Sequence, residues 1–231
     1  MNNKVLLLIW LLAMSFTLSG CSSGSSNNAD SELSEVATSE TSSDSEDVEL
    51  SDLVTISENE CASGIVIIFD NANNIDVTIH GNITYYDENN SMVGSDEAYL
   101  WDCAKNGNGS VIFELPENGY ASFKTSYYIT DAHKTPEDCN RQADYTVNAS
   151  LTDEGFVVAE FTNKNNEPID EFDVACVYYK DGKMLSYTRE TKFKCAPVFS
   201  VEFSEPRDSD FKLLDETADS FEIFINGTTK Y

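Results

Sequence analysis

The stretch Ile75-Asp-Val-Thr-Ile-His-Gly-Asn-Ile-Thr-Tyr-Tyr86 alternates between two kinds of side chain along its length. Apolar residues and Gly81 occupy one face, and the other face carries Asp76, Thr78, His80, Asn82, Thr84 and Tyr86. This period of two is the pattern of a β-strand that buries one face and keeps the other in water. The turn sequence Asp87-Glu-Asn-Asn90 follows at once, so the stretch predicts the first arm of a β-hairpin.

A second copy of this arrangement occurs further along the chain. The stretch Phe172-Asp-Val-Ala-Cys-Val-Tyr-Tyr179 also ends in two tyrosines and leads into the turn Lys180-Asp-Gly-Lys183. Four landmarks are displaced by 92, 93, 92 and 90 residues, namely Phe69 to Phe161, Tyr85 to Tyr178, Cys103 to Cys195, and Phe113 to Phe203. A displacement this constant predicts an internal duplication.

Each copy contains roughly five to seven alternating segments in about 80 residues, separated by turn signals, which predicts a sandwich of two antiparallel sheets. The expected fold class is therefore all-β, with tandem β-sandwich domains at residues 53–132 and 146–231. Residues 133–145 are expected to link them. Within this linker, Pro136 behind Thr135 predicts a short helix that ends near Ala143.

The strand ends Tyr85-Tyr86-Asp87 and Tyr178-Tyr179-Lys180 belong to a wider pattern. Each is preceded by a Phe-x-Asn turn and followed by a Phe-x-x-Pro strand. This pattern resembles the FxLYD-type modules of lipid-anchored and other bacterial surface proteins, over residues 63–130 and 148–228. The resemblance implies an immunoglobulin-like all-β module and brings no catalytic residues with it.

The N-terminus resembles a bacterial lipoprotein signal. A single Lys4 precedes the apolar run Val5–Leu18, and the sequence Leu18-Ser-Gly-Cys21 closes it. The resemblance implies that residues 1–20 are a signal peptide and that Cys21 carries a diacylglycerol and acyl chains such as palmitate. Two or more chains hold a protein durably on a bilayer. We therefore expect a protein anchored at the extracytoplasmic face of a bacterial membrane, with an ordinary secretory signal as the alternative.

Residues 21–52 form a linker rich in Ser, Asp and Glu. Such a segment cannot bury enough apolar surface to offset the entropy of ordering, so we expect it to be disordered. Its role would be that of a stalk. The alternative is an acidic segment that binds a cation or a basic partner.

The charge balance narrows the choice of partners. The formal net charge is −27, and neither Lys nor Arg occurs between Lys4 and Lys105. An acidic surface repels phosphate backbones and anionic headgroups, which argues against nucleic-acid binding. The expected partners are the membrane, through the lipid anchor alone, and an unidentified surface protein or polysaccharide.

Five cysteines follow Cys21 in a chain expected in an oxidising compartment. Five is an odd number, so at least one stays outside any internal bridge. Our hypothesis joins Cys176 to Cys195, and Cys103 to either Cys61 or Cys139. The sequence contains no CxxC motif and only two histidines, so a Cys/His zinc site is not expected.

No constellation of residues points to catalysis. Neither His80 nor His133 lies near a nucleophile motif, and the chain is so acidic that no carboxylate pair stands out. The oxygen-rich stretch Asp70–Asp76 could attract calcium, but it lacks the EF-hand spacing, and an Asn-rich turn explains it better. We therefore expect no enzyme activity, no cofactor and no metal site.

Aromatic residues supply the remaining candidate site. Tyr86 and Tyr179 are predicted to point outward and to be available for ligand contact, while Trp101 and Phe193 fall in phase with core residues. Tyr99, Tyr127 and Tyr128 could lie on either side. The leading interpretation is a non-catalytic module that binds a protein or polymer. Alternatives are a carbohydrate-binding module that uses exposed tyrosines, a calcium-stabilised module, and an enzyme acting on cell-wall or glycan substrates.

Overall fold

The structure is a computed structural model that describes residues 49–135 and 139–230. The predicted signal peptide, Cys21 and all but the last residues of the acidic linker lie outside this part of the chain. All of the described residues belong to one compact unit. Among the described residues, no helix has the length and apolar character needed to cross a membrane.

The described chain is built from strands. They are β1 (Val54–Cys61), β2 (Gly64–Asn71), β3 (Val77–Tyr86), β4 (Met92–Cys103), β5 (Gly107–Phe113), β6 (Ser122–Asp131), β7 (Tyr145–Leu151), β8 (Val157–Asn163), β9 (Ile169–Lys180), β10 (Lys183–Cys195), β11 (Val198–Phe203) and β12 (Ser220–Thr229). Two short 3-10 helices accompany them, at Leu50–Leu53 and Gln142–Asp144.

The two halves have the same topology. The first half contains the sheets β1-β2-β5 and β4-β3-β6, and the second contains β7-β8-β11 and β10-β9-β12. Every pairing is antiparallel, and each strand of the first half corresponds to the strand numbered six higher in the second. The fold is therefore all-β, with two tandem immunoglobulin-like sandwiches, as the duplication predicted.

The first sandwich closes over the inward faces of its two sheets. The ten residues of β3 alternate strictly between buried and half-buried positions, which confirms the predicted period of two. Gly81 is required within this core because an added Cβ would lie 2.9 Å from the Phe113 ring. The buried cluster includes Ile65, Ile67 and Phe69 of β2, Val77, Ile79, Ile83 and Tyr85 of β3, and Val111 and Phe113 of β5.

The second sandwich has an aromatic core. The ring of Phe172 lies 4.9 Å from the rings of Tyr145, Phe161 and Phe199, each in an edge-to-face orientation. Such pairs add to the free energy of burial because the edge of one ring is electropositive and the face of the other is electronegative.

A third core joins the two sandwiches. The outer face of β2 contributes Val66, and the opposing sheet contributes Ala175, Val177, Tyr187 and Phe224. Strand β9 is therefore buried on both faces, which explains its nearly continuous apolar sequence from Val174 to Tyr178. The sheets are stacked in the order β4-β3-β6, β1-β2-β5, β10-β9-β12, β7-β8-β11.

The residues that define the repeat have structural roles. The hydroxyl of Tyr85 donates to the carbonyl of Glu114 (2.8 Å), and that of Tyr178 donates to the carbonyl of Ser204 (2.7 Å). The Nδ2 of Asn71 donates to the carbonyl four residues later (3.1 Å), and Asn163 does the same (3.0 Å). The repeated Phe-x-Asn and Tyr-Tyr signatures thus mark equivalent turns and strand contacts.

The predicted helix between the sandwiches is largely absent from the described residues. Residues 136–138 lie outside the description, Cys139–Arg141 are not helical, and a single 3-10 turn follows at Gln142–Asp144. Buried Asp76 accepts a hydrogen bond from the Asn140 backbone (2.6 Å), and the Arg141 backbone donates to Thr228 (2.6 Å). These hydrogen bonds join Asn140 to the first half and Arg141 to the second, so the segment does not adopt the helix that its sequence predicted.

The end of the acidic linker is ordered rather than disordered. The side chain of Asn73 donates to the carbonyl of Leu50 (3.0 Å), and the backbone N–H of Ala72 donates to Leu53 (2.8 Å). The compact unit therefore begins a few residues before the predicted boundary at residue 53.

Candidate functional site

The two tyrosines predicted to contact a ligand do not share a surface. Tyr86 is half-buried at the end of β3, and the Lys124 ammonium lies 5.4 Å from its ring centroid. Tyr179 is half-buried against the core that joins the sandwiches, and its hydroxyl donates to Glu222 (3.2 Å). The structure therefore does not bring them together as a binding platform.

A different set of rings forms a continuous stack on the outer face of β4-β3-β6. The ring of His80 lies 4.2 Å from that of Tyr99, at an interplanar angle of 7°. The ring of Tyr99 lies 4.9 Å from that of Trp101, at 9°. Tyr128 of β6 is the partner of His80 across the sheet. We call this surface, defined by His80, Tyr99, Trp101 and Tyr128, the aromatic face.

The outer rings of the aromatic face are open to solvent. Trp101 is 63% exposed and Tyr128 is 68% exposed. The expectation that Trp101 belongs to the core is therefore wrong. Phe193, which was expected in the second core, is also exposed, at 67%.

A β-bulge explains the position of Trp101. Val77 pairs with Cys103 and Ile79 pairs with Leu100, so Trp101 and Asp102 together oppose one residue, Thr78. The extra residue reverses the alternation, and Cys103 returns to the core. The hydroxyl of Thr78 donates to the Trp101 carbonyl (2.7 Å) and holds the bulge in place.

In the second half the alternation changes at Lys194. Its backbone is left-handed, with φ at 53°. Phe193 therefore faces outward while Cys195 is buried. Spacing alone could not show either change, because neither the bulge at Trp101 and Asp102 nor the left-handed backbone of Lys194 has a distinct sequence signature.

A carboxylate fixes the inner end of the stack. The hydroxyl of Tyr99 donates to Glu97 Oε2 (3.2 Å), and His80 Nε2 lies 3.5 Å from the same oxygen. Loss of hydration and the hydrogen bond to Glu97 raise the pKa of Tyr99, so its hydroxyl remains a donor at neutral pH. The arrangement presents rings held in a common orientation beside a charged acceptor.

The oxygen-rich stretch that raised the question of calcium is engaged in hydrogen bonds. The two carboxylate oxygens of Asp76 accept backbone N–H groups from Lys105 (2.8 Å) and Asn140 (2.6 Å). Asn71 donates to the carbonyls of Ile75, Cys103 and Ala104. Over residues 49–135 and 139–230, no group of three or more His, Cys, Asp or Glu side chains is arranged to hold a metal ion. These contacts match the predicted local role of an Asn-rich turn.

The thiols of Cys61, Cys103, Cys176 and Cys195 are free, contrary to the proposed bridges from Cys176 to Cys195 and from Cys103 to Cys61 or Cys139. Cys176 pairs with Thr188, seven residues from Cys195, which is about 23 Å along an extended strand. A disulfide needs Cα atoms within about 7 Å. Burial raises the pKa of the Cys103 and Cys176 thiols to about 12, which keeps both protonated.

Comparison with known proteins gives no family for this chain. No family model matches the sequence, and no curated protein matches it. Among solved structures, red sea bream transglutaminase is similar at a TM-score of 0.27 and 12% identity, over 67% of this chain and 27% of that one. Escherichia coli alpha-2-macroglobulin, spanning domains NIE-MG1, is similar at a TM-score of 0.22 and 11% identity, over 74% of this chain and 89% of that one.

Proposed function

We propose that this protein is a non-catalytic, lipid-anchored binding protein at the extracytoplasmic face of a bacterial membrane. Its ligand would be a surface protein or polymer, and the aromatic face would be its contact surface. The proposal is supported by the ring stack of His80, Tyr99 and Trp101, in which half-buried inner rings hold an exposed Trp101. Exposed aromatic groups on an otherwise wet sheet face are a feature of interaction sites.

Two sequence features support the membrane location. The segment Leu18-Ser-Gly-Cys21 resembles the lipidation signal of bacterial lipoproteins. The acidic linker at residues 21–52 would place the sandwiches on the order of 30 Å from the bilayer if it behaves as a flexible coil. A net charge of −27 opposes docking onto anionic headgroups, so the lipid would be the sole anchor.

A carbohydrate-binding module is the specific form of this function that the ring stack favours. The sequence located that module at Tyr86 and Tyr179, but neither tyrosine belongs to the stack. Trp101, Tyr99 and Tyr128 would therefore make the ligand contact in place of those two residues.

The anchor is tested by the intact mass of protein extracted from membranes. We expect a mature chain that begins at Cys21 and carries the added mass of acyl chains. Cys21→Ala should remove the acyl mass and release the protein from the membrane fraction. A wild-type chain without lipid would contradict the anchor.

Binding is tested by co-sedimentation of the detergent-purified protein with isolated cell-surface material of the host bacterium. Trp101→Ala should lower the bound fraction strongly. Phe193→Ala is the matched control, because it removes an equally exposed ring from the corresponding position of the second half. Equal retention of Trp101→Ala and wild type would contradict the role of the aromatic face.

A further inference from the structure

We propose that the aromatic face binds an uncharged polysaccharide, with a pyranose ring stacked on Trp101 and the chain running across β4, β3 and β6. This inference rests on the proposed binding function and names the ligand class. The single juxtaposition that carries it is a column of parallel rings beside a carboxylate on an exposed and otherwise polar sheet face.

The geometry of the column suits a flat ligand. Because His80, Tyr99 and Trp101 have nearly parallel ring planes, the inner rings support the Trp101 ring. The C–H face of a pyranose is apolar and packs against such a ring, while its hydroxyl groups point sideways. A supported ring loses little freedom on binding, which lowers the entropic cost of the complex.

Polar groups lie where sugar hydroxyls would need partners. The Glu97 side chain is 61% exposed and keeps acceptor capacity beyond its bond to Tyr99. His80 Nε2 makes no hydrogen bond, although it lies 3.5 Å from Glu97. A sugar hydroxyl can donate to the exposed Glu97 carboxylate, whereas the imidazole nitrogen is buried and fixes only the position of the inner ring.

The length of the aromatic face fits a chain rather than a single sugar. Trp101 and Tyr99 lie on β4, His80 on β3 and Tyr128 on β6. Two strand spacings amount to about 10 Å, the length scale of a disaccharide unit. Tyr128, with its ring exposed, is placed to contact the next sugar of the polymer.

One sheet face of this molecule packs against the other sandwich, and its side chains differ in polarity from those of the aromatic face. The corresponding face of β10-β9-β12 packs against the first sandwich through Ala175, Val177 and Phe224. At the corresponding positions the aromatic sheet has Asn82, Thr84 and Ser126. Packing a protein sheet there would bury polar groups without partners, which is costly, whereas a hydroxyl-rich glycan can satisfy them.

The negative charge of the protein favours uncharged over anionic glycans as ligands. The surrounding chain carries 41 acidic against 14 basic side chains, and Glu97 lies at the stack itself. An anionic polysaccharide would be repelled from this surface. An uncharged polymer meets no such penalty, so its binding should depend little on ionic strength.

The test uses the Trp10→Phe chain, in which Trp101 is the only tryptophan whether or not residues 1–20 have been removed, so the emission of Trp101 reports on the site directly. It is titrated with neutral oligosaccharides of glucose, xylose, mannose and N-acetylglucosamine, and with oligogalacturonate as the anionic probe. We expect a saturable change in emission with at least one neutral probe and none with oligogalacturonate. Binding to the anionic probe alone, or to no neutral probe, would overturn the inference.

Single-residue variants distinguish the loss of a ligand contact from the loss of folding stability. By calorimetry, Trp101→Ala and Tyr99→Ala should each lower the affinity for the neutral probe by at least about tenfold, as for aromatic residues at the centre of a contact. Phe193→Ala should leave the affinity unchanged. An equal loss in Phe193→Ala, or no loss in Trp101→Ala, would overturn the inference. Melting temperatures establish that each variant folds.

Enzymatic treatment of the cell-surface material distinguishes this inference from the proposed function. Loss of co-sedimentation after glycosidase digestion, with retention after protease digestion, would support a glycan. The reverse pattern would overturn the glycan and leave a binding function for a protein partner. Absence of co-sedimentation with untreated material would contradict the binding function itself.

Discussion

The outer face of β10-β9-β12 and the outer face of β4-β3-β6 occupy equivalent places in the two repeats. Within the part of the chain that the structure describes, only the first of them is covered. Val177 is fully buried under the first sandwich, while the equivalent Thr84 is half-buried on the open sheet. Phe224 is fully buried, while the equivalent Ser126 is exposed. The backbone topology is the same, so side-chain chemistry alone decides which face packs and which stays open.

The same contrast extends to charged groups. On the open face, His80 lies 3.5 Å from Glu97. At the equivalent positions of the second half, Asp173 accepts a hydrogen bond from the Arg189 guanidinium (2.8 Å). A complete ion pair satisfies the groups beside the covered face, whereas at the open face the exposed Glu97 carboxylate retains acceptor capacity. Of the two equivalent faces, one therefore packs against the other sandwich and one is available for a ligand.

The largest expected effect comes from placing a charge on each face. Val177→Asp puts an unpaired carboxylate in the joining core, and we expect it to lower the free energy of unfolding by about 4 kcal/mol or to separate the halves. Thr84→Asp, opposite Lys124 on the open face, should change it by less than about 0.5 kcal/mol. Urea unfolding measures the loss of stability in both variants. Similar losses would contradict the claim that one face is covered and the other is open.

Removing an aromatic ring gives a second contrast. Phe224→Ala should cost about 3 kcal/mol, because a fully buried ring leaves a cavity between the sandwiches. Ser126→Ala, at the equivalent exposed position, should be neutral within about 0.5 kcal/mol. Differential scanning calorimetry provides the measurement. A stable Phe224→Ala variant with an unchanged melting temperature would show that the halves do not depend on this contact.

Tyr85 and Tyr178 should contribute equally to stability, unlike the outer faces of the two sheets. Tyr85→Phe and Tyr178→Phe each remove a hydroxyl that donates to a backbone carbonyl. Each should cost about 1 kcal/mol, because the carbonyl then lacks that partner. Unequal costs, measured by urea unfolding of the two variants side by side, would contradict the equivalence of the two repeats.

At neutral pH the smallest expected effect of a proton-linked group is at Tyr187 in the joining core, because its contribution changes only in the alkaline range. Burial raises the pKa of Tyr187 from 10.0 to about 12. The folded state holds this proton more tightly than the unfolded state, so the associated stability is complete below pH 10 and is lost as the pH rises through 12. Tyr187→Phe should therefore show a shallower decline between pH 10 and 12 than wild type. Parallel declines would contradict burial of this hydroxyl.

Much of the fold could be predicted from the sequence. The alternation in Val77–Tyr86 and the constant displacement of landmark residues were enough to predict strands, duplication and sandwich architecture, because burial of one sheet face imposes a period of two. The tyrosine pair at each strand end marked equivalent positions correctly. The described strands confirm these points.

The candidate site was harder to predict, for physical reasons. The bulge at Trp101 and Asp102 shifts the phase by one residue, whereas in the second half the left-handed backbone of Lys194 changes the alternation without adding a residue. Neither event has a reliable sequence signature. The covering of Tyr179 depends on a contact between distant segments, which the spacing of one strand cannot reveal.

The most direct test of the account is hydroxyl-radical footprinting of the native protein, with the urea-unfolded chain as the reference for each residue. We predict that Tyr187 and Phe224 are strongly protected in the native state, while Trp101 and Tyr128 are oxidised nearly as fast as in the unfolded chain. Protection of Trp101 and Tyr128, or rapid oxidation of Tyr187 and Phe224, would contradict the claim that one face of the duplicated fold is covered and the equivalent face is open.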